Sequence, residues 1–134
     1  MKKSLLDKAY KIALSKLDSH PEYLNFLHYS FIIQRNQIVE WATNIRLEPP
    51  RHYGYHRQDD KAFRPKYHSE VFAYKKARGL LKDASFELIN IRFSRTRALR
   101  MSRPCKACFN LMTILGCVKF YYSTNGNFQC LIQV

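Results

Sequence analysis

Apolar residues recur at helical spacing early in the chain, where Leu5, Leu6, Ala9, Ile12, Ala13 and Leu17 fall on one face. Ser4 with Asp7 resembles a helix start, and Ser19-His20-Pro21 ends the pattern. Residues 29–34 and 37–44 then read as two strands around Arg35-Asn36, which predicts a hairpin. A long loop follows. Residues 68–78 read as a second helix ended by Gly79, and residues 86–101 contain a strand that runs long or forms an arm. Residues 105–115 predict a third helix closed by Gly116. Two further strands, 118–123 and 128–133, flank Thr124-Asn125-Gly126-Asn127, and Asn-Gly between such runs is a strong hairpin signal. These last strands are expected to be antiparallel. A two-residue turn sets Thr124 against Asn127 and Cys130 opposite Tyr121, so Cys117 and Cys130 do not face each other and no disulfide is expected between them.

Composition bounds the picture without changing it. At 134 residues, with 46% hydrophobic and 14% aromatic residues, the chain can bury one sizeable core, which excludes a disordered protein and predicts one domain over 1–134. No uninterrupted apolar run is long enough to span a membrane, and residues 1–11 are broken by Asp7 and Lys8, so they form no signal-peptide core. The expectation is a soluble, cytoplasmic protein without a membrane partner. The four cysteines fit a reducing compartment. There is no internal repeat, low-complexity tract or linker.

Candidate chemistry enters with two short motifs. His68-Ser69-Glu70 and, much later, Pro104-Cys105-Lys106-Ala107-Cys108 together supply one imidazole, two thiols and a carboxylate. Zinc favours imidazole and thiolate, and a catalytic zinc takes three protein ligands so that a fourth position can hold water. If Cys105 opens a helix, as Pro104 suggests, Cys108 lies one turn further on the same side and both sulfurs can face one metal. The helix N-terminus favours their thiolates. Glu70 stands two residues from His68, better placed to exchange protons with a metal-bound water than to ligate. A C-x-x-C alone would equally suit a structural zinc site or a redox pair. A structural site needs a fourth ligand, and its candidates, Cys117, Cys130, His52 and His56, lack the paired spacing of a zinc ribbon.

H-x-E followed by P-C-x-x-C resembles the signature of the cytidine deaminase-like superfamily of zinc-dependent nucleobase deaminases. The resemblance runs from the first helix to the last hairpin, with its specificity in the zinc motifs. It implies an α/β fold, a three-layer α/β/α sandwich with a five-stranded mixed sheet. The C-terminal hairpin is similar to that of free cytidine deaminases and several RNA-editing deaminases, other branches having a helix there. The implied activity is hydrolytic deamination of cytosine to uracil, with Zn2+ held by His68, Cys105 and Cys108 and with Glu70 as the catalytic proton shuttle. The zinc motif alone does not choose among cytosine, adenine and guanine.

The resemblance also suggests substrate contacts. Asn44 looks like the asparagine that touches substrate in many members, and Arg46 stands where free cytidine deaminases carry a ribose-gripping glutamate. An arginine there favours a phosphate, or else is simply a solvated charge. The backbone around Ser102 and Arg103 is expected to hold the exocyclic amine, with Tyr55 or Phe63 covering the base. The interval 71–103 is longer than usual for the family and has room for an extended strand pair.

Charge bears on the substrate. Lys and Arg number 23 against 10 Asp and Glu, a net charge of +13, and the excess crowds around both motifs. Arg46, Arg51, Arg57, Lys61, Arg64 and Lys66 precede His68, interleaved with His52, Tyr53, Tyr55, His56, Phe63 and Tyr67. Arg92, Arg95, Arg97, Arg100 and Arg103 precede Cys105, and Lys106 lies within the motif. Cations that neutralise phosphates, and rings that stack on bases, are what a single-stranded nucleic-acid channel requires. The expected partner is therefore single-stranded DNA or RNA. The alternatives are a free pyrimidine nucleoside or nucleotide and a zinc-bearing binding module without catalysis. Free cytidine deaminases complete their sites with neighbouring subunits, so the resemblance leaves room for an oligomer.

Overall fold

The structure, a computed structural model, describes residues 3–17, 27–43, 68–94 and 96–132. Among them the order is helix α1 (Lys3–Lys16), strands β1 (Leu27–Gln34) and β2 (Gln37–Thr43), helix α2 (Ser69–Ala77), strands β3 (Phe86–Phe93) and β4 (Leu99–Arg100), helix α3 (Lys106–Leu115), and strands β5 (Cys117–Ser123) and β6 (Phe128–Ile132). The strands form one mixed sheet in the order β2-β1-β3-β5-β6, and β4 pairs with β3 off that path.

Alternation along the strands divides the core in two. Tyr29, Phe31, Ile33, Ile89, Ile91 and Phe93 point to one face of the sheet and bury Leu5, Ala9, Ala13 and Leu17 of the α1 segment. The residues between them point the other way: Ile32, Phe86, Leu88 and Phe120 pack with Ala73 and Ala77 of α2 and Met112 of α3. The sheet thus lies between α1 and the α2–α3 pair. Both central strands are almost wholly buried because both faces are covered, whereas β2, at the edge, is mostly half-buried.

Both hairpins form at the expected positions. Arg35 and Asn36 each adopt positive φ, 54° and 60°, as a two-residue turn matching the twist of its strands requires. Arg35 donates twice to Asp83 Oδ2, at 3.1 and 3.0 Å, and Gln34 is hydrogen-bonded to Lys82, Asp83 and Ser85. The turn thereby anchors the chain leading into β3. In the second hairpin Thr124 N–H donates to Asn127 O at 2.7 Å, Gly126 takes φ +100°, and Tyr121 pairs with Cys130. Cys117 and Cys130 are free thiols.

Three expectations need correction. The sheet has six strands, not five. The extra one arises because β5 pairs with β3 only as far as Asn90, leaving the end of β3 with backbone groups to satisfy. The chain turns at Ser94, where Ser94 N–H donates to Ala98 O at 3.0 Å, and returns as β4 to pair Arg92 with Arg100 and Phe93 with Leu99. Second, α2 stops at Ala77, with Arg78 as its C-cap, and gives way to a 3-10 turn, Arg78–Leu80, that passes through Gly79 without positive φ, so the glycine is not what ends the helix. Third, His68 and Cys105 are not the first helical residues but the N-caps just before them. Gly116 does close α3, with φ 118° and its N–H reaching Met112 O and Thr113 O.

Candidate metal centre

The carboxyl ends of β3 and β5 lie side by side in a parallel pair, and α2 and α3 both begin near them. Each helix puts a prospective ligand at its N-cap. His68 caps α2 with extended backbone, φ −87° and ψ 154°, and Cys105 caps α3 with φ −67° and ψ 161°. Cys108, in the first turn of α3, points back so that its N–H donates to Cys105 Sγ at 3.4 Å. His68 Nδ1 lies 3.0 Å from Cys108 Sγ and 3.6 Å from Cys105 Sγ, and the three ligand atoms are all within 4.8 Å of one another.

The donor set fits zinc. Tetrahedral zinc, with bonds of about 2.3 Å to sulfur and 2.0 Å to nitrogen, holds its ligands roughly 3.5 Å apart, the scale seen here. The Cys105 thiol is pushed down to about 3, first by hydrogen bonding from the Cys108 thiol and then by His68 and the Cys108 backbone N–H, with partial burial opposing. A thiolate ready at neutral pH is what a metal needs. Cys108 is buried, His68 half-buried and Cys105 exposed, so the cluster opens to solvent on the Cys105 side. Among the described residues no fourth His, Cys, Asp or Glu joins the group. Cys117 and Cys130 instead meet carbonyls of their own strands, those of Lys119 and Leu131. His52 and His56 lie outside the described residues.

Glu70 occupies the first turn of α2, 4% exposed and outside the ligand cluster. Burial raises its carboxyl above the usual range, while the charge of His68 and a hydrogen bond from Asn90 pull the other way. Asn90 Nδ2 donates to Glu70 Oε2 at 2.8 Å and to Ser102 O at 3.2 Å. On its other side Asn90 Oδ1 accepts from Ser30 Oγ, which lies 2.7 Å from Ser69 Oγ. Ser102, 2% exposed, is locked between β3 and β5. Its hydroxyl donates to Asn90 O at 2.9 Å and accepts from Ser123 N–H at 2.7 Å, while its own N–H donates to Ser123 O at 2.9 Å.

Ser30, Asn90 and Ser123 were not among the site residues read from the sequence. The available signal was a polar residue within an apolar strand, LHYSFIIQ for Ser30 and FELINIRF for Asn90, at positions the fold buries.

The structure brings only part of the expected substrate surface together. Ser102 contributes a buried hydroxyl used within the protein, and Arg103 is exposed beside it. Arg92 stands one alternation along β3 from Asn90 and so shares its face of the sheet. It pairs with Arg100 on β4 and with His28 on β1, giving a row of three basic residues across three strands. Burial and the charge of Arg100 both lower the Arg92 pKa, and its Nη1 donates to Met101 O at 3.1 Å. Arg97, at φ 68° in the turn, and Lys106, at the start of α3, are exposed. Asn44, Arg46, Arg51, Tyr55, Arg57, Phe63, Arg64, Lys66 and Arg95 lie outside the described residues. No helix among the described residues is long and apolar enough to cross a membrane. The sequence matches no protein-family model and no curated protein.

Proposed function

We propose that this chain is a zinc-dependent hydrolytic deaminase of the cytidine deaminase-like superfamily, converting cytosine to uracil in single-stranded DNA or RNA. The observation that supports the reading best is a buried carboxylate, Glu70, two residues from His68 in a His68–Cys105–Cys108 cluster that it does not join. Zinc held by those three residues would supply Lewis acidity and a water acidified enough to be deprotonated near neutral pH.

The rest is work for the chain's own groups. Glu70 accepts a proton from the water that adds to C4 and passes it to the ring N3. It then takes the second proton from the new C4 hydroxyl and delivers it to the exocyclic amine, which leaves as ammonia as the C4–N bond breaks. Burial suits this role, because it raises the carboxyl above its usual range and so makes the carboxylate a stronger proton acceptor. Asn90 and Ser102 fix the wall beside Glu70. The row of Arg92, Arg100 and His28 near the same end of β3 supports a substrate carrying phosphate.

A substrate panel tests the proposal: zinc-loaded protein with cytidine, cytidine monophosphates, single-stranded DNA and single-stranded RNA, scored for uracil. The oligonucleotides should be the better substrates, and their turnover should fall steeply with salt as counterion release becomes less favourable. Replacing Arg95, Arg97 and Arg100 by Ala should weaken oligonucleotide turnover while sparing that of free cytidine. A preference for free cytidine at every salt concentration would favour the nucleoside reading. Zinc-loaded protein that forms no uracil from anything in the panel would reject the cytosine reading and leave a deaminase of another base or the binding module.

A further inference from the structure

We propose that Asn90 is the positioning residue of this centre, a buried amide that holds the Glu70 carboxylate in place and ties it to the segment leading into the cysteine motif. The inference deepens the deaminase reading and rests on it for its kinetic consequence, although the hydrogen bonding can be tested without turnover.

Asn90 is 2% exposed and sits mid-strand in β3, where an apolar residue would be expected on packing grounds. Its neighbours settle which way the amide points. The Ser102 carbonyl is an acceptor only, as is the ionised Glu70 carboxylate, so the NH2 must face them; the reverse orientation would aim an oxygen at two oxygens. The amide oxygen is then left for Ser30, whose single hydroxyl proton goes to it. Ser69 must therefore be the donor in its 2.7 Å contact with Ser30. The hydrogen bonds run in one sense, Ser69 to Ser30 to Asn90 to Glu70, and chains of this kind polarise one another towards the terminal carboxylate.

The donor that starts this relay, Ser69, is the middle residue of His68-Ser69-Glu70, so the relay leaves the motif, crosses β1 and β3, and returns to it. The second amide proton reaches Ser102, three residues before Cys105. One side chain thus sets two pieces against each other: the helix start that bears His68 and Glu70, and the segment that delivers Cys105 and Cys108. Oε2 accepts from Asn90 and the carboxylate also accepts from its own backbone N–H, which leaves lone pairs of an anchored carboxylate to take a proton. A shuttle that must meet both the water and the base needs that orientation fixed before either arrives.

The test uses zinc-loaded protein and the variants Asn90→Ala and Ser30→Ala. Both should keep one zinc, while kcat on the best cytosine substrate falls by about 10–10²-fold for Asn90→Ala and less for Ser30→Ala, with KM within about twofold of the parent. With kcat expressed per folded, zinc-loaded molecule, a structural role alone would lower the amount of such protein and leave kcat at the parent value. Independently of turnover, the Asn90 side-chain amide in a 15N NMR spectrum should exchange slowly with solvent, and its resonance should move in Glu70→Ala. Should Asn90→Ala fail to fold, Ser30→Ala and the amide resonance decide the matter. Parent-like kcat in both variants, or an Asn90 amide that exchanges like a free one, would overturn the inference. A parent inactive on every cytosine substrate would instead refute the cytosine deaminase reading, and the amide measurements would still show whether Asn90 holds Glu70.

Discussion

Replacing Gly116 by Ala should loosen the support of the metal centre without touching it. Gly116 ends α3 at φ 118°, and its carbonyl accepts from Phe86 N–H at 3.1 Å, joining the helix that carries Cys108 to the start of β3. A Cβ here would run into the carbonyl oxygen of Ala84 and lie 3.2 Å from its carbon, a backbone neighbour that cannot swing aside. The positive φ costs about 1–2 kcal/mol for a residue with a Cβ. Relieving the clash costs roughly another 1–3 kcal/mol. The expected loss is therefore about 3 kcal/mol, or roughly 10 °C in Tm for a chain of this size. Gly79→Ala is the control, since a Cβ at Gly79 meets nothing within 4 Å and the backbone has no positive φ. It should be neutral or stabilising by up to about 1 kcal/mol, through the unfolded state. Urea and thermal unfolding of the two variants read the difference directly. Equal shifts in both, or a loss under about 1 kcal/mol for Gly116→Ala, would refute the reasoning from backbone conformation and steric contact.

Elemental analysis should find one zinc per chain in protein purified without added metal, and Cys105→Ala or Cys108→Ala should lose it and lower Tm, because a metal held there would join the starts of α2 and α3. Glu70→Ala should keep zinc and fold while turnover falls by about 10²–10⁴-fold; near-parental turnover would reject the shuttle role. In chelator-treated protein the Cys105 thiol, pushed down to about 3, is already thiolate across the neutral range. Its alkylation rate should stay nearly flat between about pH 5 and 8, where an unperturbed thiol gains roughly tenfold per unit. Cys117, buried and pushed up to about 12, should resist alkylation until the protein unfolds. Mass spectrometry of the labelled peptides separates the two, and a Cys105 rate that climbs steadily with pH would contradict the depressed thiol.

What the sequence by itself determined is what neighbouring residues decide together. The α1 stripe, the Arg35-Asn36 and Asn125-Gly126 turns and the Gly116 stop are legible because each rests on the conformational preferences of a few consecutive residues. The members of the candidate metal cluster were legible for the same reason: His68, Cys105 and Cys108 carry atoms suited to a metal at readable spacings, and Pro104 marks the approach to a helix start.

The remainder depended on which distant segments meet. β4 exists because β5 stops pairing with β3 at Asn90, a fact about register between strands. Ser30, Asn90 and Ser123 were not read as site residues and acquire their roles, like the Ser102 hydroxyl, only when β1, β3 and β5 align in one sheet. Arg92, Arg100 and His28 form a row only through the same cross-strand pairing. The physical reason is one of range. Turn and cap preferences act over a few residues, whereas burying a carboxylate requires partners from wherever the chain returns, and Glu70 finds its amide 20 residues away on another element.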